Sequence, residues 1–197
     1  MENKKIIVLG IGGGGMNVID YMSKNCPEDV EFISVHSEKA LIENAKTKKL
    51  LIGEAVTHGF GSGGNPERAK TAARMDKEEI ENVIKDADLL FLIACLGGGT
   101  GTGASVIIGE IAKELGIKTF AIVTYPFSFE GKKRSLQAVR GYSELVPVVD
   151  EVVVLHNDEM LKNLERSASL ADAFKAADVV VNNEFLTICR NKLKESD

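Results

Sequence analysis

The stretch from residue 89 to residue 103 constrains this chain more than any other. Residues 89–96 form an unbroken apolar run. It gives way at once to Gly97-Gly98-Gly99-Thr100-Gly101-Thr102-Gly103, after which an amphipathic segment follows. A strand-to-helix turn needs one or two glycines, and each further glycine raises the entropy lost on folding. Five in seven positions mean that something approaches the backbone too closely for side chains. Consecutive N–H groups, two hydroxyls and the positive end of a helix suit a phosphate. No Lys-Ser/Thr pair follows the glycines, so this is not a Walker loop. Phosphate charge is left to backbone dipoles, hydroxyls and a companion Mg²⁺.

Two further clusters share this character. Of the 19 glycines in 197 residues, 14 fall at 10–15, 59–64 and 97–103. Disorder scatters glycine and collagen repeats it every third residue; neither pattern is present. The first cluster, Gly10-Ile11-Gly12-Gly13-Gly14-Gly15, follows an apolar strand and opens a helix. It matches G-x-G-x-x-G at Gly10, Gly12 and Gly15, and Glu38 stands 23 residues beyond Gly15. A dinucleotide site places a ribose-binding carboxylate near there, so a NAD-dependent oxidoreductase stays open, as does a plain tight turn. The third cluster, Gly59-Phe60-Gly61-Ser62-Gly63-Gly64-Asn65-Pro66, alone reads as a surface loop. Beside the other two it is expected to close over an outer phosphate.

Strands are expected at 6–9, 31–35, 50–52, 89–95, 119–124 and 152–155. Helices are expected from the first glycine loop to about 25, and at 66–75, 77–85 and 103–115. Asn65 should cap a helix that begins at Pro66. Near-continuous apolar strands separated by helices imply an α/β fold, a Rossmann-like parallel sheet with helices on both faces. We expect one domain over 1–189 and a polar tail over 190–197 that frays.

Composition narrows the partners. With 24 Lys+Arg against 29 Asp+Glu the net charge is −5, which argues against nucleic acid and anionic membrane as partners. The basic knot Lys132-Lys133-Arg134 is too short for a nucleic-acid patch. No apolar run approaches the ~20 residues of a membrane span, and no cleavage signal is read at the start. Cys26, Cys95 and Cys189 are odd in number and lack metal-ligand spacing, so they read as reduced thiols of a cytoplasmic protein. His36, His58 and His156 share no spacing and are expected on the surface or in loops. The clusters Glu78-Glu79-Glu81 and Lys46-Lys48-Lys49 read as solvated faces. No nucleophile–His–acid set is found, and no catalytic residue is assigned.

The run at 97–103 resembles the signature of the tubulin/FtsZ superfamily, and the rest resembles its FtsZ branch of bacterial cell-division GTPases along almost the whole chain. Supporting stretches are 8–15 with Asn17, 59–67, 124–134, Asn157-Asp158 and 171–178. The resemblance implies GTP or GDP as ligand, with Mg²⁺ as a companion whose ligands it leaves open. It implies that Gly12, Gly13, Gly14, Gly15 and Asn17, with Gly97, Gly98, Gly99, Thr100, Gly101, Thr102 and Gly103, cradle the α- and β-phosphates. Gly61, Ser62, Gly63, Gly64 and Asn65 would sense the γ-phosphate. Pro126 would shape the ribose side, Glu130 would bond ribose hydroxyls, and Arg134 would lie nearby. Phe174 would stack on guanine and Asp178 would read it. Periodicity alone leaves Phe174 on a core stripe with Leu170 and Ala177, and Asp178 a solvated charge. The resemblance turns them into a base reader, because a carboxylate can accept from guanine N1–H and its amino group together, and adenine offers no such pair.

The chain also departs from the family pattern. His36-Ser37-Glu38 stands where Asn-Thr-Asp is usual, Tyr125 replaces a basic residue, and His156 a proline. The sequence reaches Asp197 before the family's acidic catalytic loop and second domain. It therefore resembles the nucleotide-holding half of a GTPase site completed between subunits. The expected function is an FtsZ-like GTP/GDP-binding protein of cell division or cytoskeletal assembly, partnered by itself or by a full-length FtsZ. Slow or absent hydrolysis is expected for this chain alone. The alternative is a non-polymerising regulator that caps such filaments.

Overall fold

The computed structural model describes residues 4–26, 29–162 and 168–194. The first three residues of the N-terminal run and the last three of the expected tail lie outside the described residues. The elements are, in order, β1 (Ile6–Ile11), α1 (Gly12–Met22), β2 (Val30–His36), α2 (Lys39–Glu43), β3 (Lys48–Leu51), α3 (Glu54–Thr57), α4 (Pro66–Met75), α5 (Lys77–Ile84), β4 (Leu89–Cys95), α6 (Thr100–Glu114), β5 (Lys118–Tyr125), α7 (Lys132–Leu145), β6 (Glu151–His156), α8 (Asn157–Leu161) and α9 (Leu170–Lys194). The six strands form one sheet in the order β3-β2-β1-β4-β5-β6, every neighbouring pair parallel. This is the doubly wound order. The chain reverses direction across the sheet between β1 and β4, and ligands of such sheets bind at the strand ends there.

Alternate residues of β1, β2, β4, β5 and β6 feed two cores. In β4, Leu90, Leu92 and Ala94 pack with Ile107, Ile108 and Ile111 of α6. Leu89, Phe91 and Ile93 pack with Val18, Ile19 and Met22 of α1 and with Val181, Phe185 and Ile188 of α9. Phe91 stacks on Phe120 with centroids 5.3 Å apart and meets Phe185 edge-on at 4.8 Å. Burial on both faces is why these strands read as continuous apolar runs.

The expected strands are all present, displaced by no more than two residues at an end. β6, expected to be buried, is only partly so, because it forms the sheet edge. α1 ends at Met22 and a turn occupies 23–25. α6 begins at Thr100, three residues earlier than expected, so residues 100–103 of the glycine run at 97–103 are helix. Close packing explains it: a Cβ on Gly101 would lie 2.9 Å from the Cys95 carbonyl oxygen, and one on Gly103 2.1 Å from that of Pro66. α2 and α3 span five and four residues, too short to show a period in the sequence. Residues 190–194, expected to fray, continue α9.

Asn65 caps α4, its Oδ1 accepting from the Glu67 N–H at 2.9 Å with Pro66 at the first helical position. Gly15 holds α1 against the sheet, where a Cβ would lie 2.4 Å from the Ile93 carbonyl oxygen. That obstacle is strand backbone and cannot turn aside. Gly15→Ala is therefore expected to destabilise the fold by about 3 kcal/mol, read as a lowered urea midpoint.

Candidate functional site

The carboxyl ends of β1, β2, β4, β5 and β6 open into a cleft of about 530 Å³. Its wall follows strand order. Glu38 lies beyond β2, Gly12, Gly13 and Gly14 beyond β1, and Gly98, Gly99, Thr100 and Gly101 beyond β4. Pro126 follows β5 and Asn157 follows β6. α1 and α6 thus present their N-termini to the same space, and a Cβ on Gly12 would lie 2.7 Å from the Gly101 nitrogen. Each helix start brings free N–H groups and the positive end of its dipole.

The glycines there sort into two kinds. Gly12, Gly14, Gly99 and Gly101 are dictated by close neighbours within the protein. Gly13 and Gly98 are not: a Cβ on either would meet nothing within 4 Å, and neither has a left-handed backbone. Both line the cleft, so a side chain at either point would find open space on its wall.

The structure brings together on the cleft wall Gly12, Gly13, Gly14, Asn17, Ser62, Gly63, Gly64, Gly98, Gly99, Thr100, Gly101, Pro126, Glu130, Arg134, Phe174 and Asp178. It places the remaining expected residues behind that wall. Gly15 packs on β4, Gly61 against Glu38, Gly97 against the Arg134 backbone and Gly103 under Pro66. Asn65 serves as the α4 cap, and the Thr102 hydroxyl accepts from the Gly97 N–H at 2.8 Å.

At the β5–β6 side, Phe174 and Asp178 stand one turn apart on α9. Phe174 is 42 % exposed and meets the buried Phe127 edge-on at 5.2 Å; Phe127 in turn stacks on Phe129 at 4.9 Å. Phe174 is therefore not on a core stripe. The Asp178 carboxylate has no hydrogen-bond or ion-pair partner among the described residues, and burial pushes its pKa up to about 6. Asn157 is 4 % exposed and its Oδ1 has no partner either. Glu130 is already engaged: Oε1 accepts from the Phe127 N–H at 2.9 Å, and Oε2 pairs with Arg134 at 2.8 Å.

At the β2 side, His36 is buried, contrary to the expectation of a surface or loop residue, because it is the last residue of β2. Its Nδ1 accepts from the Glu38 N–H at 2.8 Å, and burial lowers its pKa, opposed by the Glu38 charge. The ring is thus neutral, with its proton on Nε2. Glu38 and the exposed Phe60 form an antiparallel bridge that joins this corner to the 59–64 loop. Gln137 of α7 donates to the carbonyl oxygens of both Gly64 (3.2 Å) and Gly97 (3.1 Å), tying that loop to the one beyond β4.

His36, Cys95, Thr124 and Asn157 line the cleft without having been singled out as ligands from the sequence. Each stands at or just after a strand end, so the strand-end rule could have named them. Burial pushes the Cys95 thiol up to about 11, which makes it a packing group and not a nucleophile. Gln137 carries no sequence signal. Among the described residues no group of three or more His, Cys, Asp or Glu gathers as for a metal, and no helix is long and apolar enough to cross a membrane. Cys26, Cys95 and Cys189 are free.

A family model described as Tubulin/FtsZ family, GTPase domain, matches residues 5–165. The chain is 45% identical over 179 residues to the cell division protein FtsZ of Wigglesworthia glossinidia brevipalpis, covering 90% of this chain and 47% of that protein. It is 43% identical over 183 residues to the cell division protein FtsZ of Buchnera aphidicola subsp. Baizongia pistaciae, covering 92% and 48%. An empty FtsZ dimer of M. jannaschii matches with a TM-score of 0.86 at 38% identity, over 92% of this chain and 53% of that one. A GDP-bound monomer of CetZ1 from Haloferax volcanii matches with 0.81 at 25%, over 91% and 58%. The chain spans about half the length of the relatives it matches.

Proposed function

The chain belongs to the Tubulin/FtsZ family, and from that premise we propose that its cleft holds a guanine nucleotide, GTP or GDP. One observation carries the reading. The same cleft joins two glycine-rich helix N-termini to a half-buried carboxylate, Asp178, that has no hydrogen-bond or ion-pair partner among the described residues. The first suits an acceptor-only polyphosphate; the second calls for a ligand that donates.

In this reading the N–H groups at the starts of α1 and α6, with the Thr100 hydroxyl, hold the inner phosphates. Fixed dipoles need no reorganisation as charge shifts between phosphate oxygens, which is how such cradles contribute to phosphoryl transfer. Ser62, Gly63 and Gly64 meet the terminal phosphate. Pro126, Glu130 and Arg134 line the ribose side. Phe174 offers a ring to the base, and Asp178 accepts from guanine N1–H and N2–H. If Mg²⁺ accompanies the phosphates, Glu38 is the carboxylate at the β2 end that can join the phosphate oxygens in holding it. Relatives named cell division protein FtsZ support a role in cell division; in this reading a second copy or a full-length FtsZ completes the site for hydrolysis.

Calorimetric titration with GTP, GDP, ATP and NAD tests this. GTP and GDP are expected to bind at least about a hundred-fold more tightly than ATP, because adenine leaves Asp178 unpaired. Equal binding of ATP, or a preference for NAD, sinks the proposal.

A further inference from the structure

Three hydroxyls meet beneath the phosphate end of the cleft. Ser37 is fully buried, and Thr100 and Ser62 are each 5 % exposed. The Ser37 and Thr100 oxygens lie 2.8 Å apart, and those of Ser62 and Thr100 3.4 Å apart. Thr100 and Ser62 line the cleft, whereas Ser37 touches Thr100 from behind the wall.

Counting protons fixes the direction of the shorter bond. Each hydroxyl has one proton to give and two sites to receive. The Ser37 hydroxyl has no other hydrogen-bond partner among the described residues; the Thr57 hydroxyl donates to the Ser37 carbonyl oxygen instead. If Thr100 gave its proton to Ser37, the Ser37 proton would be buried without an acceptor, which is costly. Ser37 therefore donates and Thr100 accepts. The Thr100 proton is then free for the weaker contact to Ser62 or for an acceptor in the cleft. A phosphate oxygen at the N-terminus of α6 is the stronger acceptor.

We infer that Ser37 is a positioning residue for anion recognition: it occupies a Thr100 lone pair and so commits the Thr100 hydroxyl to donate into the cleft. This rests on the reading that the cleft holds nucleotide phosphates. Without Ser37, the Thr100 hydroxyl can rotate and present a lone pair to the phosphate.

The test is calorimetric titration of the full chain with GDP and with guanosine. Ser37→Ala is expected to weaken GDP about ten-fold and to leave guanosine unchanged within about two-fold. Ser37→Thr, which restores a donor, should recover the GDP affinity. Should Ser37→Ala fail to fold by circular dichroism, Ser37→Cys keeps the volume with a weak donor, and a selective loss for GDP is again expected. Unchanged GDP binding overturns the inference, and so does an equal loss for GDP and guanosine, which would mark Ser37 as merely structural. An unmodified chain that binds neither ligand overturns the functional reading itself.

Discussion

Asp178→Ala is expected to weaken GDP binding about a hundred-fold while leaving the empty chain at least as stable as before. The two effects have one cause. The carboxylate is half-buried with no hydrogen-bond or ion-pair partner among the described residues, so in the empty fold the partial desolvation of its charge is a cost, and removing it breaks no hydrogen bond. With guanine bound it accepts two hydrogen bonds, and removing it leaves two donors unmet. A single thermal melt and a single titration check both halves. A variant that melts lower, with GDP affinity intact, would mean that Asp178 is structural.

The raised pKa adds a pH signature. Asp178 titrates at about 6 in the folded chain against an ordinary 3.8. The folded state therefore holds this proton more tightly than the unfolded one. The resulting contribution to stability is fully present below pH 3.8 and is lost as the pH rises through 6. Binding runs the other way, since the base needs the ionised form. At pH 5 only about one carboxyl in ten is ionised, so guanosine affinity should fall about ten-fold from its value near pH 7.5. Guanosine is the right probe because it carries no titrating phosphate. Asp178→Asn should remove this dependence.

Gly13→Ala is the second large effect expected, and it also separates stability from binding. Gly13 lies in the first turn of α1 with open space where its Cβ would stand. Alanine favours helix over glycine by up to about 1 kcal/mol, so the empty chain should melt no lower than before. The added methyl would occupy room that the phosphates need, and a loss of up to about a hundred-fold in GDP affinity is expected. Gly98→Ala should behave alike. Gly103→Ala, whose methyl would collide with the Pro66 carbonyl, should instead lower stability directly. Unchanged GDP binding by Gly13→Ala would show that no ligand reaches the start of α1.

These contrasts mark how far the sequence could be read. The strands were legible because burial on both faces leaves an unbroken apolar run, and the Pro66 helix because Asn65 and proline announce its start. α2 and α3 were not legible, since five and four residues hold little more than one turn. His36 was misplaced because nothing local distinguishes a buried strand end from an exposed loop. Gln137 was invisible because its two acceptors lie 73 and 40 residues away in the chain.

The amino-acid sequence by itself determined the α/β class, the three glycine clusters, and the family through the ordered run at 97–103. Those are local properties: periodicity, turn chemistry and the order of residue types survive without a fold. Tertiary structure alone decided which glycines face the cleft and which serve packing. A missing side chain looks the same in sequence whether it makes room for a ligand or for a neighbouring carbonyl. It also decided that Phe174 is exposed beside Phe127, that Asp178 has no hydrogen-bond or ion-pair partner among the described residues, and that Ser37 stands behind Thr100. Each of these depends on what lies across space from a residue, which is set only when the sheet brings the strand ends together.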